Sequence, residues 1–271
     1  MAAPTSETLA EALRPLTDAP EHGGILCDVD GTLAPIVERA EIARVPPEAS
    51  RTLAALARRY RLVACISGRS AQEARRLVGV GGIAYAGAHG AELLEPGDQR
   101  PAVALGFEAH AGSVHRFADE NAGSEVRTLG VRAEYKGPIV ALHWRGAPDE
   151  DAARAALEPV AARAEQAGLA VHWGRKVLEV RPPVAVSKAN AVKELVARRP
   201  GLRAALFGGD DTTDLDAFDA LDDLIAEGAL DAALKVGVAS DEGPAEIVDR
   251  ADLVVSGTAG FLDVLTALAE A

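Results

Sequence analysis

Aromatic residues make up only 4% of this 271-residue chain, which also has two cysteines and a single methionine. Two thiols, Cys27 and Cys65, are too few for a disulfide framework, and a reducing compartment is the simpler expectation. Basic residues are short as well, with 28 Lys+Arg against 41 Asp+Glu and a net charge of −13. That balance argues against non-specific attraction to nucleic acid or to an anionic membrane. No stretch approaches the ~18 consecutive apolar residues of a membrane span. The first twenty residues lack a basic start followed by an apolar run, so no signal peptide is expected. The six histidines show no metal-ligand spacing. These absences lead to the expectation of a cytoplasmic protein with no nucleic-acid or membrane partner. Apolar residues at 48% and charged residues at 25% supply one large folded domain or two modest ones.

Short runs of branched apolar residues recur, each followed by polar or glycine-rich punctuation. Gly24–Asp30, Leu62–Gly68, Ile83–Gly87, Leu202–Gly208, Leu234–Ala239 and Leu253–Val255 read as strands buried on both faces, as in a parallel sheet. Between them, Pro47–Arg59, Ala71–Val78, Lys188–Arg198 and Asp214–Leu221 read as helices. The alternation predicts an α/β fold, a doubly wound, Rossmann-like parallel sheet with helices on both faces. Residues 107–183 break the rhythm. Val131–Glu134 and Ile139–Trp144 flank Tyr135-Lys136-Gly137-Pro138 as a hairpin, Asp151–Ala167 reads as a helix, and Val177–Val180 reads as a strand. The organisation predicted is a discontinuous core of residues 1–106 and 184–271 interrupted by a small α+β insertion of residues 107–183.

Two acidic motifs close strands. Asp28-Val29-Asp30-Gly31-Thr32 sets carboxylates at i and i+2 beside a glycine that permits close backbone approach. Magnesium and a phosphoryl group suit such a place, because Mg²⁺ takes hard oxygen ligands and keeps substrate phosphate in its shell. A plain Asp-rich turn is the competing explanation. Gly208-Gly209-Asp210-Asp211-Thr212-Thr213-Asp214 packs three carboxylates into five residues, which repel unless a cation or protons compensate. The same residues also suit a helix N-terminus, and both readings can hold together. Ser67 ends a third strand, where it serves equally as a phosphoryl donor or as a cap for Ala71–Val78. Lys188 opens a helix and is one of five lysines among the 28 basic residues, beside Lys136, Lys176, Lys193 and Lys235. Cys27 and Cys65 read as core residues, and Trp144 and Trp173 as packing within the insertion. Gly79-x-Gly81-x-x-Ala84 follows a helix and leads into a strand, the reverse of a dinucleotide-binding context, so NAD binding is rejected.

In order, Asp28-x-Asp30-Gly31-Thr32, Ser67, Lys188 and Gly209-Asp210-Asp211-x-x-Asp214 resemble the four motifs of the haloacid dehalogenase superfamily of phosphotransferases. Asp28–Ile36, Ser67–Arg69, Gly87–Gly90, Glu134–Gly137, Ala141–Arg145, Lys176–Pro182 and Gly209–Asp214 are similar to the trehalose-6-phosphate phosphatase family in particular. The resemblance runs from about Gly24 to Gly260. It implies a Mg²⁺-dependent phosphomonoester hydrolase acting on a small-molecule sugar phosphate, with the insertion as a substrate-recognising cap. Asp28 would be the nucleophile that forms an aspartyl-phosphate, and Asp30 the acid and base. Mg²⁺ would be held by Asp28, the Asp30 backbone carbonyl and Asp210, with Asp211 and Asp214 near it. Ser67 and Lys188 would clamp phosphoryl oxygens, and Glu134, Lys136 and Glu179 would read the sugar. Cap closure would exclude water. Departures from the pattern fall at Tyr135, Ala189 and Leu215, none of which removes a reacting group. Phosphatases of sucrose phosphate or mannosylglycerate phosphate, a silent sugar-phosphate sensor and a mutase are the competing activities.

Overall fold

A computed structural model describes residues 6–37, 39, 42–103, 108–183, 186–240 and 243–271. Every residue of β1 (Gly23–Cys27), β2 (Leu62–Ile66), β3 (Ala84–Gly87) and β10 (Ala204–Gly209) is buried. Such strands need cover on both faces, and the side chains divide by alternation. Ile25, Cys27, Val63, Cys65, Ala204 and Leu206 enter one core. Leu26, Leu62, Ala64, Ile66, Ala205 and Phe207 enter the other.

The first core is closed by α1 (Ser6–Thr17), α2 (Pro47–Leu56), α3 (Ala71–Val78) and α10 (Gly257–Glu270). The second is closed by α7 (Lys188–Ala197), α8 (Thr212–Ala226) and α9 (Ala245–Arg250). Helical spacing explains the fit: Ala217, Phe218, Leu221 and Leu224 put one stripe of α8 on the sheet. Helix α3 starts at a capping box between Ser70 and Glu73 and stops at left-handed Gly79, φ +74°. Its cap is therefore Ser70, and Ser67 is left free of that duty.

With β4 (Glu92–Leu94), β5 (Ala102–Val103), β11 (Ala232–Ala239) and β12 (Leu253–Ser256), the sheet has eight strands in the order β12-β11-β10-β1-β2-β3-β4-β5. The pairings from β12 through β3 are parallel, and β4 runs antiparallel to β3. The chain winds outward from β1 through β2 to β3 and, on the other side, from β10 through β11 to β12. The order therefore reverses between β1 and β10, and the crevice beyond their carboxyl ends is the natural ligand site of such a sheet.

The chain divides into two compact units, one of residues 1–101 with 187–271 and one of residues 102–186. The boundaries expected from sequence involve residues 106, 107 and 184, which lie outside the described residues. In the second unit, β6 (Arg132–Lys136), β7 (Ile139–His143), β8 (Ala170–Gly174) and β9 (Val177–Arg181) form an antiparallel sheet in the order β6-β7-β9-β8. The first hairpin turns at Gly137-Pro138 alone, with Gly137 at φ +52°, so Tyr135 and Lys136 belong to the strand rather than to the turn. The segment after α6 (Glu150–Gln166) is a second hairpin, where the sequence shows one strand. Val140, Leu142, Leu178 and Val180 pack against Ala153, Leu157, Val160 and Ala164 of α6. Helices α4 (Glu108–Asn121) and α5 (Ser124–Thr128) complete the unit. Among the described residues, no helix is long and apolar enough to cross a membrane.

Packing at the switch point is close enough to test. A Cβ on Gly208 would lie 2.2 Å from Phe261 Cε2 and 2.4 Å from its Cζ. Overpacking of this kind costs about 1–3 kcal/mol. Gly208→Ala should accordingly lower the urea midpoint at unchanged slope, and an unmoved midpoint would mean that the ring relaxes freely away from the sheet.

Candidate active site

Asp28 follows β1, Ser67 follows β2 and Asp210 follows β10, so three functional candidates leave one edge of the parallel sheet. The Asp28 N–H donates to the Gly208 carbonyl at 2.9 Å, which fixes the start of the acidic turn against the neighbouring strand. Gly31 then adopts φ +99°, and a Cβ there would lie 2.0 Å from Asp210 Oδ2. Only glycine lets the two acidic loops approach this closely.

Lys188, at the first turn of α7, sits between them. Its Nζ donates to Asp28 Oδ1 and to Asp214 Oδ1, each at 2.6 Å, and all three side chains are buried. Asp214 Oδ2 accepts the N–H groups of Asp210 and Asp211, both at 3.0 Å. Asp211 is the N-cap of α8, and with Asp214 it forms a capping box. The helix-cap and acidic-cluster readings of this motif therefore describe the same residues. Thr32 Oγ1 donates to Asp210 Oδ1 at 3.0 Å.

Carboxylate oxygens of Asp28, Asp210 and Asp214 all lie within 4.8 Å of one another. Three carboxylates and one ammonium leave a formal charge of −2 in a buried place. Burial pushes the Asp28 carboxyl well above its usual range, against the pull of Lys188. Burial and the charge of Asp214 push Asp210 up to about 7. For Lys188 burial acts to lower the pKa, but Asp214 and Asp28 outweigh it and the ammonium is held charged. A dense set of hard oxygens short of two positive charges, spaced by a glycine no side chain can replace, fits a divalent cation such as Mg²⁺.

Asp30 has another environment. Its side chain is 38% exposed, and its two oxygens take a bidentate pair from Arg69: Nε to Oδ2 at 2.7 Å and Nη2 to Oδ1 at 2.6 Å. Ser67 is buried, its Oγ accepting the Arg69 N–H at 3.1 Å.

Glu134, Lys136 and Glu179 lie in the second unit on one face of its sheet, because Glu134 pairs with Ala141 and Ala141 with Glu179. His143 Nε2 is 2.7 Å from Glu134 Oε2, Lys136 Nζ is 3.5 Å from Glu134 and 4.0 Å from Glu179, and Arg181 pairs with Glu179. Arg69 and His143 fall inside the family-like stretches Ser67–Arg69 and Ala141–Arg145, but the sequence assigned neither of them a role. Strand alternation carries a signal for His143, nine residues beyond Glu134 and on the same face across the hairpin, whereas nothing local in the sequence links Arg69 to Asp30.

A family model described as trehalose-phosphatase matches residues 26–245. The chain is 38% identical over 206 residues to an uncharacterized glycosyl hydrolase of Mycobacterium tuberculosis (strain CDC 1551 / Oshkosh), covering 73% of this chain and 15% of that protein. It is 37% identical over 215 residues to the trehalose-phosphate phosphatase of Mycobacterium avium (strain 104), covering 75% of this chain and 52% of that one. It thus spans about half the length of the curated phosphatases it matches, and far less of the glycosyl hydrolase. The crystal structure of a trehalose-6-phosphate phosphatase related protein superposes with a TM-score of 0.70 at 25% identity, over 91% of this chain and 96% of that one. The C-terminal domain of C. albicans trehalose-6-phosphate phosphatase shares the fold, with a TM-score of 0.71 at 21% identity over 99% of each chain.

The Glu134 cluster yields a titration. The hydrogen bond from His143, and after it the charge of Lys136, hold the Glu134 carboxyl below the usual range against the opposing effect of burial. His143→Ala should therefore move the Glu134 titration to higher pH, as read from its side-chain carboxyl ¹³C shift. A titration that stays in place would assign the depression to Lys136 alone.

Proposed function

Because the chain belongs to the trehalose-phosphatase family, we propose that it hydrolyses trehalose 6-phosphate to trehalose and phosphate through an aspartyl-phosphate. The observation that carries this reading is the Lys188 ammonium, 2.6 Å from both Asp28 and Asp214 beside Asp210 at the switch point of the sheet.

Lys188 engages Asp28 Oδ1, and the attack is assigned to Oδ2. The Oδ2–P bond forms as the P–O bond to the sugar breaks, and the departing sugar oxygen takes a proton from Asp30, which enters this step as the protonated acid and leaves it as the carboxylate. Water then attacks the phosphorus of the aspartyl-phosphate and gives a proton to Asp30, and the Asp28 carboxylate is restored. An ammonium has three donors. Two go to Asp28 and Asp214, which leaves the third for a phosphoryl oxygen, and the Ser67 hydroxyl serves another.

The carboxylates of Asp28 and Asp210 and the Asp30 backbone carbonyl, with Asp211 and Asp214 beside them, would hold Mg²⁺. When bound, this ion supplies the positive charge that lets an anionic carboxylate meet an anionic phosphate. Glu134, Lys136 and Glu179 offer acceptors and a cation to sugar hydroxyls, and they are proposed to select the disaccharide. The free thiols Cys27 and Cys65, both buried, accord with a reducing, cytoplasmic setting.

Phosphate release across a panel of trehalose 6-phosphate, sucrose phosphate, mannosylglycerate phosphate and an aryl phosphate, with and without EDTA, tests the assignment. Trehalose 6-phosphate should be the preferred substrate, EDTA should remove the activity, and Asp28→Asn should abolish turnover while ligand binding stays detectable. Turnover that survives in Asp28→Asn would overturn the nucleophile, and preference for another sugar phosphate would overturn the substrate. Glu134→Ala should cut trehalose 6-phosphate turnover far more than aryl phosphate turnover, whereas equal losses would remove Glu134 from sugar selection.

A further inference from the structure

Resting on the function proposed above, we propose that Arg69 is a positioning residue that acts through Asp30, holding in a single orientation the carboxyl group that gives and then regains the proton. Asp30 stands in a turn rather than in a strand, bridged through its backbone to Ala34, and its side chain is more than one third exposed. A carboxylate so placed is free to rotate unless something holds it. Arg69 grips both oxygens at 2.6 and 2.7 Å. The Arg69 side chain is 20% exposed, and a bidentate fork on a carboxylate keeps its geometry better than a single contact does.

Arg69 is itself held from outside its own loop. Its carbonyl accepts the Ala88 N–H at 2.7 Å, and the Ser67 carbonyl accepts the His89 N–H at 2.9 Å. Those two donors come from a turn with three consecutive left-handed residues, Ala88 at φ +48°, His89 at φ +58° and Gly90 at φ +108°. The conformation is unfavourable for Ala and His, and it persists only where neighbouring structure imposes it. The His89 ring lies over Gly68, where a Cβ would come within 2.9 Å of two ring atoms. A turn beyond β3 thus clamps the loop beyond β2, and that loop presents a rigid fork to the acidic residue beyond β1.

Misplacing a reacting group by about 1 Å can cost on the order of 10²-fold in rate. Arg69→Ala should lower kcat on trehalose 6-phosphate by about that factor with KM changed only a few-fold. The distinguishing measurement is a cycle of Arg69→Ala, Asp30→Asn and the double variant, with folding checked by thermal melts. If Arg69 works through Asp30, the double variant turns over no more slowly than Asp30→Asn alone, and added guanidinium recovers part of the Arg69→Ala loss. Losses that multiply, or a loss that falls entirely in KM, overturn the proposal and make Arg69 an independent substrate contact. Should Arg69→Ala not fold, Arg69→Lys carries the cycle, since it keeps the charge and lacks the fork. Wild-type protein inactive on trehalose 6-phosphate, or active Asp28→Asn, overturns the proposed function instead. Wild-type activity with a silent Asp28→Asn and multiplying losses overturns the role of Arg69 alone.

Discussion

A charged amine buried between two carboxylates is the constraint on which the site depends. Two opposite charges about 4 Å apart attract by about 4 kcal/mol at the effective dielectric of a protein, and closer contact strengthens the attraction. Removing one partner of such a buried pair typically costs about 3–5 kcal/mol. Lys188 makes two of these contacts at 2.6 Å, to Asp28 160 residues away and to Asp214 26 residues away. Three loops therefore share one arrangement: the turn after β1, the start of α7 and the start of α8. Asp214 extends the network through its second oxygen to the backbone of Asp210 and Asp211. Three carboxylates against one ammonium leave the cluster with a formal charge of −2. Under the proposed function, a divalent cation would balance that remainder.

The doubly wound core was legible because strands buried on both faces leave long apolar runs that no other local element explains. Leu62–Ile66 and Ala204–Gly209 are such runs. The acidic candidates were legible because they end those runs. Other elements left weaker marks. Strand β8 is exposed at Ala170, His172 and Trp173 and carries no apolar run, and α4 has two glycine or serine positions and two histidines among its fourteen residues. Ser67 stood level between a cap and a functional group until the box between Ser70 and Glu73 removed the first reading. Arg69 lies in the family-like Ser67–Arg69 stretch, but its pairing was not legible there: its partner lies 39 residues back, and the backbone of its loop is held by a left-handed turn past the next strand.

The face of the second unit that carries Glu134 follows from a simpler rule. Antiparallel register sends Arg132, Glu134 and Lys136 to one side together with His143, Glu179 and Arg181, while Val140, Leu142, Leu178 and Val180 go to the other. One side is thus committed to the hydrophobic core and the other is free to carry charge. On the charged side cations and carboxylates stand close enough to pair, as Lys136 and His143 do with Glu134 and as Arg181 does with Glu179. Under the proposed function, neutral sugar hydroxyls would suit such a surface, and the phosphate would suit the acidic crevice of the first unit together with a cation.

Asp28 and Asp30 are the same residue type two positions apart, and their different partners suit the different tasks proposed for them. Lysine is a compact point charge on a buried stem, and at Asp28 it engages Oδ1, leaving the second oxygen available to attack phosphorus. Arginine is a planar fork, and at Asp30 it engages both oxygens at once, so that carboxylate is a poor nucleophile and a well-held one. For Asp30 to give or take a proton, one arm of the fork must yield an oxygen while the other keeps the group aligned. A lysine at position 69 would hold the charge without the alignment, and an arginine at position 188 would occupy the oxygen that has to react. The choice of cation beside each carboxylate therefore supports the proposed division of labour, which the motif order only suggests.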